Sequence, residues 1–356
     1  MRFIHTADWQ IGMKAASTGG AAEAVRQARL ESAARVVALE ADFLLVAGDT
    51  FEDNAVDRSL VQHTGEILAR FHGPVFLLPG NHDPLQPGSV WDHAVWNQFP
   101  NLMVVREPRA FAVPGGTLIA APLRETHSRR DPSAILAEIT RPAGTVVAMS
   151  HGTVEGIDPD TEHHPISRHA CSRARADYLA LGHWHSTAFY PDAEGAIRTA
   201  YCGAHETTKF GERDSGNALR VQIENGLPIV ESIRTGVLNW HRLDVQVQAL
   251  GDIMALRDRI AALPGRSLVK LEISGLLHAA EADLLRQLDE MGSRFLHLAI
   301  DASGLRPAAD AGWEDLLPPG AVRMAARQLR ERAAAGDSVA SEALLELQAL
   351  AAQAGA

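Results

Sequence analysis

Sixteen histidines stand in this chain of 356 residues, and several lie beside Gly, Asn or Asp at the ends of apolar runs. Five short motifs carry them with carboxylates: Asp8-Trp9-Gln10, Gly48-Asp49-Thr50-Phe51-Glu52-Asp53-Asn54, Gly80-Asn81-His82-Asp83, Ser150-His151-Gly152 and Gly182-His183-Trp184-His185. Imidazole nitrogens with carboxylate and amide oxygens, and no cysteine, make a mixed O/N donor set. Such a set suits Mn²⁺, Fe²⁺ or Zn²⁺ rather than a structural zinc knot. Glycine at a motif's start lets the backbone turn sharply and aim the next side chain. His183 and His185 are two apart, so in an extended segment both face one side and could flank a pair of cations. Taken alone, each motif also reads as a structural histidine or a turn carboxylate. The five together, in this order and spacing, read as one site.

The elements that must position them follow from hydrophobic patterning. Phe3-Ile4 opens a short strand, residues 20–40 have helical apolar spacing, and Phe43–Ala47 is a buried strand that stops at Gly48-Asp49. Leu60–Phe71 reads as a helix, and Pro74–Leu78 as a strand that stops at Gly80-Asn81-His82-Asp83. This strand–helix rhythm indicates a mainly parallel sheet covered by helices. Beyond residue 100 strands dominate: Leu102–Val105, Leu118–Ala121, Thr145–Ser150, Tyr178–Leu181, Ile197–Cys202, Ala218–Ile223 and Ile229–Ile233. A four-layer α/β/β/α sandwich over residues 1–235 accounts for this order. The motifs fall where the strands end, which is where open α/β sheets bind ligands. Residues 236–305 then alternate strand and helix as a small α/β domain. Residues 306–356 form a linker and a helix pair: Leu317-Pro318-Pro319-Gly320 breaks the chain before amphipathic stretches at 321–335 and 338–353.

Composition narrows the function. A hydrophobic fraction of 46% with 22% charged residues fits a globular chain rather than a disordered one. The net charge of −11 argues against holding nucleic acid by bulk positive charge, though not against a local basic groove or a metal-assisted phosphate site. Two cysteines, Cys171 and Cys202, make no disulfide framework, so a reducing cytoplasm is expected. Apolar runs are too short for a membrane span. Arg2–Asp8 reads as a strand entering a polar turn rather than a secretory leader.

The motif set resembles the calcineurin-like metallophosphoesterases, whose pattern is Asp-X-His, Gly-Asp, Gly-Asn-His-Asp/Glu, a lone His, and Gly-His-X-His. Tyr201-Cys202-Gly203-Ala204-His205-Glu206 with Phe210-Gly211-Glu212 is similar to a segment of the SbcD-type DNA repair exonucleases. The resemblance implies two divalent metal ions, Mn²⁺ first with Fe²⁺ or Zn²⁺ as alternatives. Asp49 would bridge them, Asp8 and His185 would hold the first, and Asn81, His151 and His183 the second. His82 would face the scissile phosphate as acid or charge stabiliser, with Asp83 fixing its tautomer. Position 10 departs from the pattern: Gln10 stands where the family has histidine, so the first metal is held more weakly or Gln10 holds a metal-bound water. Implied too are exonuclease and endonuclease action on DNA, a homodimer, a DNA-guiding role for residues 236–305, and an SMC/ABC-like coiled-coil ATPase partner for the tail. Two other readings stay open: a phosphodiesterase of small substrates such as cyclic nucleotides, and a non-catalytic scaffold.

Remaining features have plainer expectations. His5 reads as a buried structural histidine, and Trp9, Trp91, Trp96 and Trp184 as core, with base stacking as the alternative. Glu52, Asp53 and Asn54 either shape the metal pocket or cap the next helix. Arg124, His127, Arg129 and Arg130, like Arg168, Arg173 and Arg175, read as solvated surface before phosphate contacts. His163-His164 with Asp158, Asp160 and Glu162 reads as a loop.

Overall fold

The computed structural model describes residues 1–156, 163–308, 314, 317–337, 339–340, 343–344, 347 and 350. The chain folds as two compact units, Met1–Leu238 and Asn239–Ala356.

The first unit is built on two six-stranded sheets. Arg2–Thr6, Phe43–Val46, Val75–Leu77 and Leu102–Val104 run parallel as neighbours in one sheet. Asn217–Glu224 and then Leu227–Arg234 extend it antiparallel beyond Arg2–Thr6. In the second sheet Gly116–Ala120, Val146–His151, Tyr178–Gly182 and Ile197–Tyr201 are parallel neighbours. Antiparallel edges, Arg109–Val113 and Ala188–Pro191, close it.

Both faces of the central strands are buried, so their sequences are continuous apolar runs rather than alternating ones. Phe3, Phe43, Leu45 and Phe76 share a core with Leu118, Val147, Met149, Tyr178 and Ala180 of the other sheet. On the far face of the first sheet Ile4, Leu44, Val46 and Leu77 pack with Ala33, Val36, Val61 and Leu68. Those last four come from the helices Ala22–Val37 and Arg58–Ala69. Among the described residues a 3₁₀ turn at Ala134–Glu138, the short helix Ala170–Arg173, and Val154 with Ile166 cover the far face of the second sheet over Ile119, Ala148, Leu179 and Leu181. The four layers are those of the α/β/β/α sandwich.

The second unit carries a three-stranded parallel sheet, Asn239–Val247, Ser267–Leu277 and His297–Pro307. The helices Asp252–Ala261 and Ala282–Glu290 connect these strands, and Val247, Leu256, Ile260, Leu271, Ile273 and Leu288 form its core. The helix Ala321–Ala334 belongs to the same unit, as do the described residues of the tail. The helix expected over 338–353 lies largely outside the described residues, as do Asp158, Asp160 and Glu162. No described helix is long and apolar enough to cross a membrane.

Candidate metal centre

All five motifs sit at carboxyl ends of parallel strands. Asp8 follows Arg2–Thr6, Asp49 follows Phe43–Val46, and Asn81 and His82 follow Val75–Leu77. His151 ends Val146–His151, and His183 follows Tyr178–Gly182. The two sheets meet here through the His183 N–H, which donates to both Asp8 oxygens at 2.9 and 3.1 Å. Asp8 (φ 54°), Gln10 (41°), Asp49 (51°) and His183 (103°) are all in the left-handed region. Such backbone costs on the order of 1–3 kcal/mol per residue and persists only where the surroundings impose it. His183 is therefore not in a regular extended segment; its Nδ1 meets Asn81, whereas the Nδ1 of His185 meets Glu212.

Two glycines are required by approach. A Cβ on Gly80 would lie 2.1 Å from Asp49 Oδ1. One on Gly48, at φ 101°, would lie 2.0 Å from His151 Nδ1. Without them the carboxylate and the imidazole cannot reach the common point.

At that point one donor atom from each of Asp49, His151 and His183 lies within 4.8 Å of the others, the one such cluster among the described residues. Asn81 Oδ1 is 2.9 Å from His151 Nε2 and 2.8 Å from His183 Nδ1. The His151 Nδ1–H donates to the Ala47 carbonyl at 2.8 Å, which turns Nε2 inward. Asp49 Oδ1 accepts the His82 N–H at 2.9 Å, while Oδ2 is buried with no hydrogen-bond partner among the described residues, 3.3 Å from His151 Nε2. Burial opposes charge on both partners, yet mutual attraction prevails. His151 is raised to about 9, and His151 holds the Asp49 carboxyl well below the usual carboxylate range. Burial, reinforced by the charge of His151, lowers His183 to about 3, so it is a neutral donor. A buried carboxylate oxygen that faces an amide oxygen and two imidazole nitrogens fits a divalent cation, which would take the place of the proton that Asp49 favours on His151.

Asp8 and His185 lie outside that cluster. Burial raises the Asp8 carboxyl, while His151 and His185 pull it down. Gln10 is 6% exposed, and its backbone N–H donates to the Asp49 carbonyl at 2.9 Å. Its side-chain amide makes no hydrogen bond among the described residues.

His82 is partly buried, and its Nδ1–H donates to the Glu52 carbonyl at 2.9 Å. Asp83 does not fix that ring. Its oxygens accept the Phe51 N–H (2.9 Å) and the Gly80 N–H (2.7 Å), so it ties two motif turns together from a fully buried position. Burial, with the Asp49 charge beside it, pushes the Asp83 carboxyl well up. Glu52 borders the site through its backbone, and neither Asp53 nor Asn54 caps the helix Arg58–Ala69, whose N-cap position is Asp57. Glu52 supplies that carbonyl, Asp53 accepts the Ala55 N–H (2.7 Å), and Asn54 spans the Pro84 carbonyl and the Val90 N–H.

Sequence reasoning missed Arg29, fully buried on the first long helix. It donates to the carbonyls of Asp8, Trp9 and Glu206 and thereby fixes the first motif's backbone. Glu212 stands in the Phe210-Gly211-Glu212 segment already singled out, but its contact with His185 at 2.9 Å, and that of Thr208 at 3.1 Å, was missed. No local pattern announces either contact. Trp9, Trp91 and Trp96 are buried in the core, so base stacking is not open to them. His5 is buried between the Tyr178 hydroxyl and the Leu181 carbonyl, both at 3.0 Å. Arg124, Arg168 and Arg173 are spent on the Arg106 carbonyl, the Glu155 carbonyl and Asp131.

A profile of the family described as calcineurin-like phosphoesterase matches residues 1–187. The uncharacterized metallophosphoesterase YhaO of Bacillus subtilis (strain 168) is 25% identical over 230 residues, 60% of this chain and 53% of the relative. The chain thus spans about half the length of the curated relative it matches. Among solved structures, TT1561 of Thermus thermophilus aligns with a TM-score of 0.44 at 13% identity, covering 65% of this chain and 99% of that one.

Proposed function

From the premise that this chain belongs to the calcineurin-like phosphoesterase family, we propose that it is a two-cation phosphodiesterase that cuts DNA. Metal-dependent phosphoester hydrolysis comes with the family. The observation that carries the site is the meeting of Asp49 Oδ2, orphaned and buried, with Asn81 Oδ1, His151 Nε2 and His183 Nδ1. These would hold one divalent cation, and Asp8, Asp49 and His185, with Gln10 beside them, the other. When bound, the pair supplies Lewis-acid polarisation of the phosphoryl oxygens and a water acidified enough to attack near neutral pH. The chain's part is positional and protonic. Ala47 and Glu52 carbonyls fix the His151 and His82 tautomers. Nε2 of His82 makes no hydrogen bond among the described residues and is the atom to hold or move a proton at the leaving oxygen.

DNA as substrate, with an ATPase partner and a homodimer, rests on the likeness of Tyr201–Glu206 and Phe210–Glu212 to the SbcD-type segment and on the unit beyond Leu238. Mn²⁺ is the proposed metal, because an O/N donor set without sulfur suits it. The net charge of −11 favours a second reading, hydrolysis of small phosphodiesters. End-labelled single- and double-stranded DNA, assayed with Mn²⁺ beside a cyclic dinucleotide and a generic phosphodiester, separates them. Shortening of the labelled strand supports the nuclease. Turnover of the cyclic dinucleotide with intact DNA overturns it, and no turnover of any substrate leaves the scaffold.

A further inference from the structure

The first cation's set is the weaker one, since Gln10 offers a neutral amide oxygen where an imidazole would bind more strongly. Opposite it, His185 has an unusually complete second support. Its Nδ1–H donates to Glu212 Oε1 at 2.9 Å, with Thr208 Oγ1 at 3.1 Å. The Glu212 side chain is only 5% exposed and cannot swing away. Its Oε2 accepts the Thr208 N–H at 2.8 Å, and its Oε1 also accepts the Thr208 hydroxyl. Nε2 of His185 makes no hydrogen bond among the described residues. Among the described residues the second set has no such carboxylate behind its imidazoles: His151 leans on the Ala47 carbonyl, and the Nδ1 of His183 meets Asn81 Oδ1.

We propose that Glu212 is a positioning residue that compensates for Gln10: it fixes His185 with Nε2 as the lone-pair atom and strengthens that atom as a donor to the first cation. A carboxylate behind a ligating histidine sets ring orientation and raises basicity, and its loss typically costs about 10–100-fold in metal affinity. This inference rests on the two-cation reading above. It adds a negative charge one residue removed from the metal, where the ligand set itself is poorest.

The test is calorimetric titration of the full chain with Mn²⁺, with thermal melting of each variant beside it. The unmodified protein should show a tight and a weak event. Glu212→Ala should weaken the weak event by about 10–100-fold and leave the tight one unchanged. Glu212→Gln can still accept the Nδ1 proton but lacks the charge, and should fall between the two. Adding Gln10→His to Glu212→Ala should restore the weak event, which a merely structural role for Glu212 would not allow. The proposal is overturned if both events weaken together, if neither changes in Glu212→Ala, or if Gln10→His gives no rescue. An unmodified protein that takes up no Mn²⁺ overturns the two-cation reading itself, an outcome distinct from normal uptake that ignores Glu212.

Discussion

Asp49 answers two demands with one carboxylate: Oδ1 accepts the His82 N–H, and Oδ2, without a hydrogen bond among the described residues, faces His151 Nε2 at 3.3 Å. The neighbouring His82 uses its ring quite differently, held by the Glu52 carbonyl and outside the donor cluster. Their substitutions should therefore diverge. His82→Ala should keep Mn²⁺ uptake and lose rate by about 10²–10⁴-fold, the usual worth of a positioned acid or base. Asp49→Ala should lose both. Metal analysis and turnover on the same preparations check this, and near-normal turnover by metal-loaded His82→Ala removes that ring from the mechanism. His5 makes a separate claim, about stability. Burial lowers it to about 3 from an ordinary 6.5. The folded state therefore binds fewer protons than the unfolded chain between those values. The neutral ring's contribution is fully present above pH 6.5 and is lost as pH falls toward 3, at about 1.4 kcal/mol per pH unit. Urea denaturation at pH 7.5 and pH 5 should show stability falling with acidity. In His5→Gln that fall should shrink, and an equal fall in both proteins would refute the assignment.

At the scale of elements, the strand ends were legible and the strain was not. Phe43–Val46 and Val75–Leu77 are apolar runs cut off by Gly-Asp and Gly-Asn-His-Asp, so both the strand and its exit show in the sequence. The edge strands Arg109–Val113 and Ala188–Pro191 went unseen, because an edge with one face exposed mixes polar and apolar residues without a clear period. The left-handed φ of His183 was equally hidden: it is imposed by Asp8, 175 residues away, through the His183 N–H. The contacts of Arg29 with the first motif and of Glu212 with His185 were missed for the same reason, since they join residues 20 or more apart. The strained turn makes a prediction of its own. Gly48→Ala would press a Cβ to 2.0 Å from His151 Nδ1 at φ 101°. It should both destabilise the fold and weaken Mn²⁺ binding. Gly195→Ala is the control, with φ 87° and nothing within 4 Å of the added carbon. It should cost about 1–3 kcal/mol of stability through backbone strain alone and leave metal binding unchanged. Calorimetric Mn²⁺ titration of both variants decides whether the glycine serves the site or only the turn.

The whole molecule joins a cation-binding sandwich to a second unit whose tail has little core of its own. Leu317, Ala326 and Leu344 form a small cluster, joined by Leu329, Ala333 and Leu347. Val322 and Met324 on the same helix are 50% and 64% exposed. At roughly 1.5–3 kcal/mol for each fully buried large apolar side chain, so few contacts hold the tail only weakly. An alanine-rich helix with large apolar side chains left in water suits close approach to another helix, and the proposed ATPase partner offers a coiled coil. Deleting residues 320–356 should therefore leave Mn²⁺-dependent hydrolysis by the chain largely intact, because every residue of the donor cluster lies before Leu238. The same deletion should abolish co-purification with a coiled-coil ATPase expressed alongside it. Melting curves and turnover of the truncated chain come first. If it unfolds or loses hydrolysis, the tail is core structure. If it stays folded and active but still brings the ATPase down, docking lies elsewhere on the molecule.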